Sequence, residues 1–178
     1  ILLAALFGLA VSIAKSQENS YLKTPMVFSH LSINDGLSSN SVRSLLQDEK
    51  GFVWMGTSRG LNRYDGHSVV QVAKSRSLSV TAMAEDGDSI WIGTENGLYL
   101  YQQRLDSVKW VDLSFSTLQK GEVANVSSIG MDNKGSWWIA TIGQGILCWD
   151  TRTGVCTSVQ TPDGTNRYGY ICVSRKGE

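Results

Sequence analysis

The chain has 178 residues, and its sixteen Lys and Arg residues balance sixteen Asp and Glu residues, so the formal net charge is zero. No basic run or stripe is present, so the composition gives no electrostatic support for binding nucleic acid. The length suffices for one domain with a substantial core.

The first thirteen residues (ILLAALFGLAVSI) form an uncharged apolar run, and a polar stretch follows at residues 15–20. At about 1.5 Å per residue, a helix of this length is too short to cross a bilayer. The run fits the apolar region of a secretory signal peptide that has lost its basic start. We therefore expect residues 1–16 to be a truncated signal peptide; the alternative is a buried helix of the domain.

A short pattern rich in glycine and aromatic residues occurs three times. It spans residues 48–65 (DEKGFVWMGTSRGLNRYD), 85–101 (EDGDSIWIGTENGLYLY) and 132–150 (DNKGSWWIATIGQGILCWD). The aligned tryptophans at positions 54, 91 and 138 lie 37 and 47 residues apart. A period in this range, made of short strands and glycine turns, is typical of β-propeller blades. The sequence therefore predicts an all-β fold of four-stranded antiparallel blades.

The repeat also sets the expected boundaries. We expect a lead-in segment with an N-terminal strand over residues 17–41, and blades at about 42–79, 80–125 and 126–169. A further blade would begin at 170–178, and an insertion at 114–124 explains the wider second spacing. Because a closed ring needs roughly four to eight blades, we predict an incomplete propeller that is unstable or oligomeric alone. A strand around residues 26–31 would complete the missing last blade of a ring, so we expect it to be poorly held.

Within the repeat, aspartates and glycines suit the turns, and tryptophans inside apolar strands suit the filling between blades. The alternative interpretations are sugar-stacking tryptophans and calcium-binding or catalytic aspartates. The second copy has Glu85 in the Asp place and Asp88 in the Gly place, and in the third copy Ala140 replaces a glycine. The positions assigned to the structural repeat are Asp48, Gly51, Trp54, Gly56, Gly60, Trp91, Gly93, Gly97, Asp132, Gly135, Trp138 and Gly145.

The sequence contains few candidate catalytic or metal-binding residues. The two histidines, His30 and His67, stand in no nucleophile or metal motif, so we expect no catalytic residue, no metal and no cofactor. The three cysteines have no CxxC context. Cys148 and Cys156 flank a turn, and a one-residue change of register decides whether they face each other.

Loops between the second and third strands of propeller blades open on one face of the ring. In this chain, those loops carry Arg59, Asn96 and Gln144. Their side chains offer the hydrogen-bond donors that sugar hydroxyls and carboxylates need. We predict that these three residues contact a ligand; the alternative is that they are solvated turn residues.

Two segments carry a family resemblance: residues 28–42 (FSHLSINDGLSSNSV) and 48–66 (DEKGFVWMGTSRGLNRYDG). They resemble the two-component regulator propeller of bacterial hybrid two-component sensors, especially those of gut Bacteroidetes. The resemblance implies two periplasmic seven-bladed propellers, followed by a β-sandwich, one transmembrane helix, a histidine kinase, a receiver and a DNA-binding domain. The present chain would cover the first blades of the first propeller.

The resemblance further implies a noncatalytic periplasmic sensing segment that responds to glycan-derived oligosaccharides and regulates the genes for their use. Its partners would be an oligosaccharide and the remaining blades, in a homodimeric parent anchored in the membrane downstream. The segment itself would not contact nucleic acid. Two alternatives stay open: a structural or protein-interaction propeller, and a secreted carbohydrate-active propeller enzyme.

Overall fold

The computed structural model of the chain describes residues 28–113, 123–159 and 168–172. The chain divides into two compact units after His30, and only residues 28–30 of the first unit are described. The predicted signal peptide lies outside the described residues, as do residues 26 and 27 of the predicted N-terminal strand, while residues 28–31 form no strand. No helix within the described ranges is long and apolar enough to span a membrane.

The described residues form three antiparallel sheets of four strands, each ordered as in the chain. This arrangement confirms the predicted all-β fold of four-stranded blades. The first blade is β1 (Val42–Gln47), β2 (Val53–Thr57), β3 (Gly60–Tyr64) and β4 (Val69–Gln71); the second is β5 (Val80–Asp86), β6 (Ser89–Thr94), β7 (Gly97–Gln102) and β8 (Ser107–Val111); the third is β9 (Val126–Met131), β10 (Ser136–Thr141), β11 (Ile146–Asp150) and β12 (Val155–Val159). Short 3₁₀ turns cover Ile33–Asp35, Ala73–Ser75 and Gln103–Leu105.

The aspartate that opens the first repeat joins a turn to the core. One carboxylate oxygen of Asp48 accepts the backbone N–H groups of Lys50 at 3.1 Å and Phe52 at 2.8 Å. The other accepts the indole N–H of Trp54 at 2.8 Å. Asp48 and Trp54 are both buried. The carboxylate therefore compensates three donors at once, which a buried polar group requires.

The third blade repeats this arrangement and the second modifies it. Asp132 accepts the indole N–H of Trp138 at 3.0 Å and the backbone N–H of Ser136 at 2.9 Å, and these hydrogen bonds hold its pKa below the usual value. In the second blade, Asp86 rather than Glu85 accepts the indole N–H of Trp91, at 3.2 Å. The aligned residue differs because Asp86 pairs with Ser89 across a two-residue turn, which shortens the hairpin.

Glu85 and Asp88, the two departures of the second repeat, contact the first blade instead. The carboxylate of Glu85 accepts the backbone N–H of Glu49 at 3.0 and 3.2 Å. Asp88 lies 2.6 Å from both Lys50 Nζ and Arg104 Nη2. The hydrogen bond from Lys50, together with the nearby charge of Arg104, lowers the pKa of Asp88. Both acidic residues thus tie the second blade to the first at the turn end of the sheets.

Among the described residues, the core consists of two apolar layers, each between neighbouring blades. Between the first and second blades, Trp54 packs edge-on against Tyr101 with ring centroids 5.7 Å apart. Between the second and third, Trp91 lies 5.2 Å from Trp137 and 5.4 Å from Trp149. Trp137, next to the aligned Trp138, is therefore the tryptophan that fills this layer from the third blade, while Trp138 lies on the opposite face of its sheet.

Successive blades are in close contact at a glycine of the second strand. A Cβ added to Gly56 would lie 2.4 Å from Val80 Cγ1, and one added to Gly93 would lie 2.6 Å from Val126 Cγ1. Both valines begin the first strand of the next blade and are fully buried. The glycine is therefore required because the side chain of the neighbouring valine occupies the space of a Cβ.

The lead-in segment covers the other face of the first blade. Leu37 is buried, and the backbone N–H of Ser38 donates to Asn62 Oδ1 at 2.9 Å. The Asn62 amide donates in turn to Ser38 Oγ at 2.9 Å and to the carbonyl of Met55 at 3.1 Å. Asn62 is fully buried, and these partners satisfy its amide.

The strand register of the third blade determines whether Cys148 and Cys156 face each other. Cys148 pairs with Thr157, whereas Cys156 pairs with Trp149, so the two cysteines lie on opposite faces of the sheet. They are free, as is Cys172. Burial raises the pKa of the half-buried Cys156 thiol to about 11, so the thiol stays protonated at neutral pH.

We predict that replacing Asp48 with asparagine lowers the free energy of unfolding by about 2 kcal/mol, because an amide cannot accept from the turn N–H groups and the Trp54 indole together. Urea unfolding followed by far-ultraviolet circular dichroism measures the loss. The matched control is Asp86→Asn, whose indole hydrogen bond is longer and less buried, so its loss should be smaller. Equal losses in the two variants would contradict the role given to Asp48.

We also predict that Gly56→Ala lowers the free energy of unfolding by about 1–3 kcal/mol through overpacking against Val80. In the double variant with Val80→Ala, part of this loss should return, since the removed methyl groups make room for the new Cβ. A double-mutant cycle in urea would then give a coupling of about 1 kcal/mol or more. Additive losses would show that the blades do not meet at this contact.

Candidate functional site

The first strands of the three blades, β1, β5 and β9, contact one another in succession, as the inner strands of a propeller do. Their starts lie on the same face as the loops between second and third strands. The backbone N–H of Ser58 donates to the carbonyl of Ser41 at 3.1 Å, and that of Ile142 to the carbonyl of Asn125 at 2.8 Å. The loops and the strand starts therefore form one continuous rim.

A β-bulge occurs at the start of every inner strand. Val42 and Ser44 pair with consecutive residues of β2, which leaves Arg43 as the extra residue. The same shift leaves Thr81 extra in β5 and Ser127 extra in β9. Bulges re-aim side chains and are common beside functional sites. Here the repeat presents three polar side chains, one per blade, at equivalent positions.

These three residues line one cavity of about 480 Å³ on the rim. We call it the rim cavity. Its size lies in the range of small-molecule sites. The wall is completed by Glu95, Asn125, Val126, Ile142, Gly169 and Tyr170.

An ion pair between blades crosses the wall of the rim cavity. Arg43 Nη1 lies 2.5 Å from Glu95 Oε1 and 2.9 Å from Ser79 Oγ. The side chains of Arg43 and Glu95 are 39% and 48% exposed, so the pair contributes little to stability. No other partner of the Arg43 guanidinium lies among the described residues, so its remaining donors are available to a ligand.

The hydroxyl groups of two bulge residues donate to backbone carbonyls further along the chain. Thr81 Oγ1 donates to the carbonyl of Val126 at 2.6 Å, and Ser127 Oγ donates to the carbonyl of Tyr168. The carbonyl of Tyr168 therefore accepts from the bulge residue of the third blade, just as the carbonyl of Val126 accepts from that of the second blade. The floor of the rim cavity is therefore held by the contacts between blades.

The three predicted ligand residues occupy equivalent turns. In each turn, a buried threonine hydroxyl accepts the backbone N–H of the candidate residue and donates to a glycine carbonyl. The backbone N–H of Arg59 donates to Thr57 Oγ1 at 3.1 Å. The equivalent bonds run from Asn96 to Thr94 Oγ1 at 3.1 Å and from Gln144 to Thr141 Oγ1 at 3.2 Å.

These turns place the candidates beside the rim cavity rather than on its wall. Arg59 and Asn96 are exposed, and the residue that lines the cavity from the second loop is Glu95. Gln144 is half-buried, and its Oε1 atom is buried without a hydrogen-bond partner in the described part of the chain. Their contact with a ligand stays a prediction. Sequence reasoning missed Arg43, whose role depends on the bulge.

Within the described residues, no group of three or more His, Cys, Asp or Glu side chains is placed to hold a metal ion. The available chemistry of the rim cavity is hydrogen bonding by one guanidinium, one carboxylate, one amide and three hydroxyl groups.

Comparison with known proteins gives three consistent matches. Residues 36–59 match the family described as two component regulator propeller. Over 60 residues the chain is 42% identical to histidine kinase P4 of Formosa agariphila, which is 34% of this chain and 4% of that protein. It also resembles the extracellular domain of a putative hybrid two-component system of B. thetaiotaomicron, with 28% identity and a TM-score of 0.60, over 74% of this chain and 20% of the other.

The extracellular domain of a putative one-component system of B. thetaiotaomicron has the same fold, with a TM-score of 0.71 at 19% identity over 88% of this chain and 22% of the other. The chain therefore spans less than a quarter of the length of each of these relatives. The family match lies on the lead-in segment and the first blade, where the sequence resemblance was strongest. The chain thus has the fold of these extracellular propeller domains, and its residues 36–59 match the two component regulator propeller.

Proposed function

We propose that this chain is the ligand-sensing segment of an exported hybrid two-component sensor kinase, and that the rim cavity binds an oligosaccharide released from a complex glycan. Binding would regulate the genes for use of that glycan. The segment itself is a binding module, and the kinase activity belongs to other parts of the parent. In this proposal the parent is a membrane-anchored homodimer with a periplasmic sensor, and the segment does not contact nucleic acid.

The repeated bulge is the observation that carries the proposal. One polar bulge residue per blade, Arg43, Thr81 and Ser127, lines the same cavity. The positive charge of Arg43 and the negative charge of Glu95 balance, so the cavity favours an uncharged ligand that forms many hydrogen bonds. Sugar hydroxyl groups both donate and accept, which matches a wall of guanidinium, carboxylate, amide and hydroxyl groups.

The position of the cavity also gives a route from binding to signalling. A ligand in the rim cavity contacts side chains of consecutive blades and meets the Arg43–Glu95 pair, which crosses from the first blade to the second. Hydroxyl groups of the ligand would compete with Glu95 for the guanidinium. The bound state would then fix the relative positions of the blades differently from the free state, which shifts the population of conformations that the parent samples.

Affinity measurements on the soluble sensor region of the full-length receptor test this proposal. We predict that Arg43→Ala weakens binding of the activating oligosaccharide about tenfold to a hundredfold in isothermal titration calorimetry, as expected for the loss of a charge-assisted hydrogen bond. The matched control is Arg76→Ala, an exposed arginine outside the rim cavity. Equal affinities for the two variants would place the ligand elsewhere.

A triple variant tests the loop residues separately. We expect Arg59→Ala, Asn96→Ala and Gln144→Ala together to weaken binding of longer oligosaccharides more than that of the shortest activating one, because these side chains lie beside the cavity. Unchanged affinity for every length would remove the loops from the binding site while leaving the rim cavity to be judged by Arg43→Ala.

A further inference from the structure

We infer that the cleft between the outer halves of the first and second blades is a second ligand site, which takes one neutral sugar ring or a polyol of similar size. This outer cleft has a volume of about 320 Å³ and is lined chiefly by Trp54, Arg63, Val70, Val72, Tyr101 and Asp106. It shares no lining residue with the rim cavity. The inference therefore does not depend on the proposed function.

The chain contains its own comparison for this cleft. Arg63 lies opposite Trp54 in the first blade, and Leu100 lies opposite Trp91 at the equivalent position of the second. Between the second and third blades, Leu100 joins an apolar cluster in which Trp91 packs against Trp149. The second blade thus fills this position with the apolar side chain of Leu100. At the first interface the repeat instead has an arginine beside an open cleft.

The guanidinium of Arg63 is held in place without a polar partner. Its carbon lies 4.5 Å from the ring centroid of Phe52 and 5.9 Å from that of Trp54. Stacking on aromatic faces orients a guanidinium and leaves its N–H groups free in the plane. In the described part of the chain, no carboxylate pairs with Arg63 and no acceptor is within hydrogen-bond distance of it. Arg63 is half-buried, so the hydrogen bonds that its N–H groups can make depend on what occupies the cleft.

An acceptor faces the same cleft from the second blade. Asp106 Oδ1 accepts the hydroxyl of Tyr101 at 3.0 Å, and burial together with this carboxylate raises the pKa of Tyr101 to about 12. The tyrosine therefore stays protonated and orients the carboxylate. Asp106 has φ +43°, the one positive value among the described residues other than glycine. The turn thus carries a carboxylate at a position where the backbone favours glycine.

These groups define the class of ligand. A carboxylate ligand would be attracted by Arg63 and repelled by Asp106. A cationic ligand would be repelled by Arg63 and attracted by Asp106. A neutral ring with hydroxyl groups accepts from the guanidinium, donates to the carboxylate and places its C–H groups against Val70 and Val72. Small-molecule sites combine apolar walls with a few convergent polar groups in this way.

The probes are the methyl glycosides of glucose, galactose and mannose, titrated into the full ¹⁵N-labelled chain. We expect saturable shifts of the Trp54 indole and Arg63 Nε–H signals, each assigned by substitution. Arg63→Leu copies the residue of the second blade and should weaken binding at least tenfold. Asp106→Gly should do the same without loss of fold, since glycine accepts the left-handed backbone. The control is Arg76→Leu, which should bind as the unaltered chain does.

Three results would overturn the inference. The first is that none of the glycosides shifts the Trp54 indole signal. The second is that Arg63→Leu and Asp106→Gly, with circular dichroism unchanged, bind as tightly as Arg76→Leu. The third is that glucuronate or glucosamine binds more tightly than the neutral glycosides, which would replace the neutral polyol by a charged ligand.

Discussion

The close approach of each blade to the next, at a glycine in the second strand, is the contact on which the rest of the structure depends. Val80 fills the space beside Gly56, and Val126 fills the space beside Gly93. Each valine is the first residue of an inner strand, so the contact fixes where that strand starts. The bulge residue comes directly after it. The packing of two apolar side chains against backbone therefore positions the polar wall of the rim cavity.

The two interfaces between described blades are packed differently. The second interface is filled by tryptophans and Leu100, which maximises buried apolar area. The first has Trp54 and Tyr101 in its buried layer but an arginine at the outer edge. On the opposite face of the first blade, Asn62 is satisfied by the lead-in segment, so its burial serves structure.

The repeat itself predicted much of this fold, because aspartate, tryptophan and glycine each act through local geometry. Asp48 makes its turn and its contact with Trp54 within six residues. The role of Arg43 could not be predicted, since it depends on a shift of register between two strands. The replacement of Glu85 by Asp86 as the tryptophan partner depends on turn length. The outer cleft depends on the contact of two blades, which a single repeat does not encode.

Valine-on-glycine packing spaces the blades and thereby forms the rim cavity. A nuclear Overhauser spectrum of the chain with stereospecifically labelled valine methyl groups tests it most directly. The account predicts strong cross-peaks from the Val80 γ1 methyl to the Gly56 α protons and from the Val126 γ1 methyl to the Gly93 α protons. Absence of both, in a chain whose strand amides are protected from exchange, would contradict it.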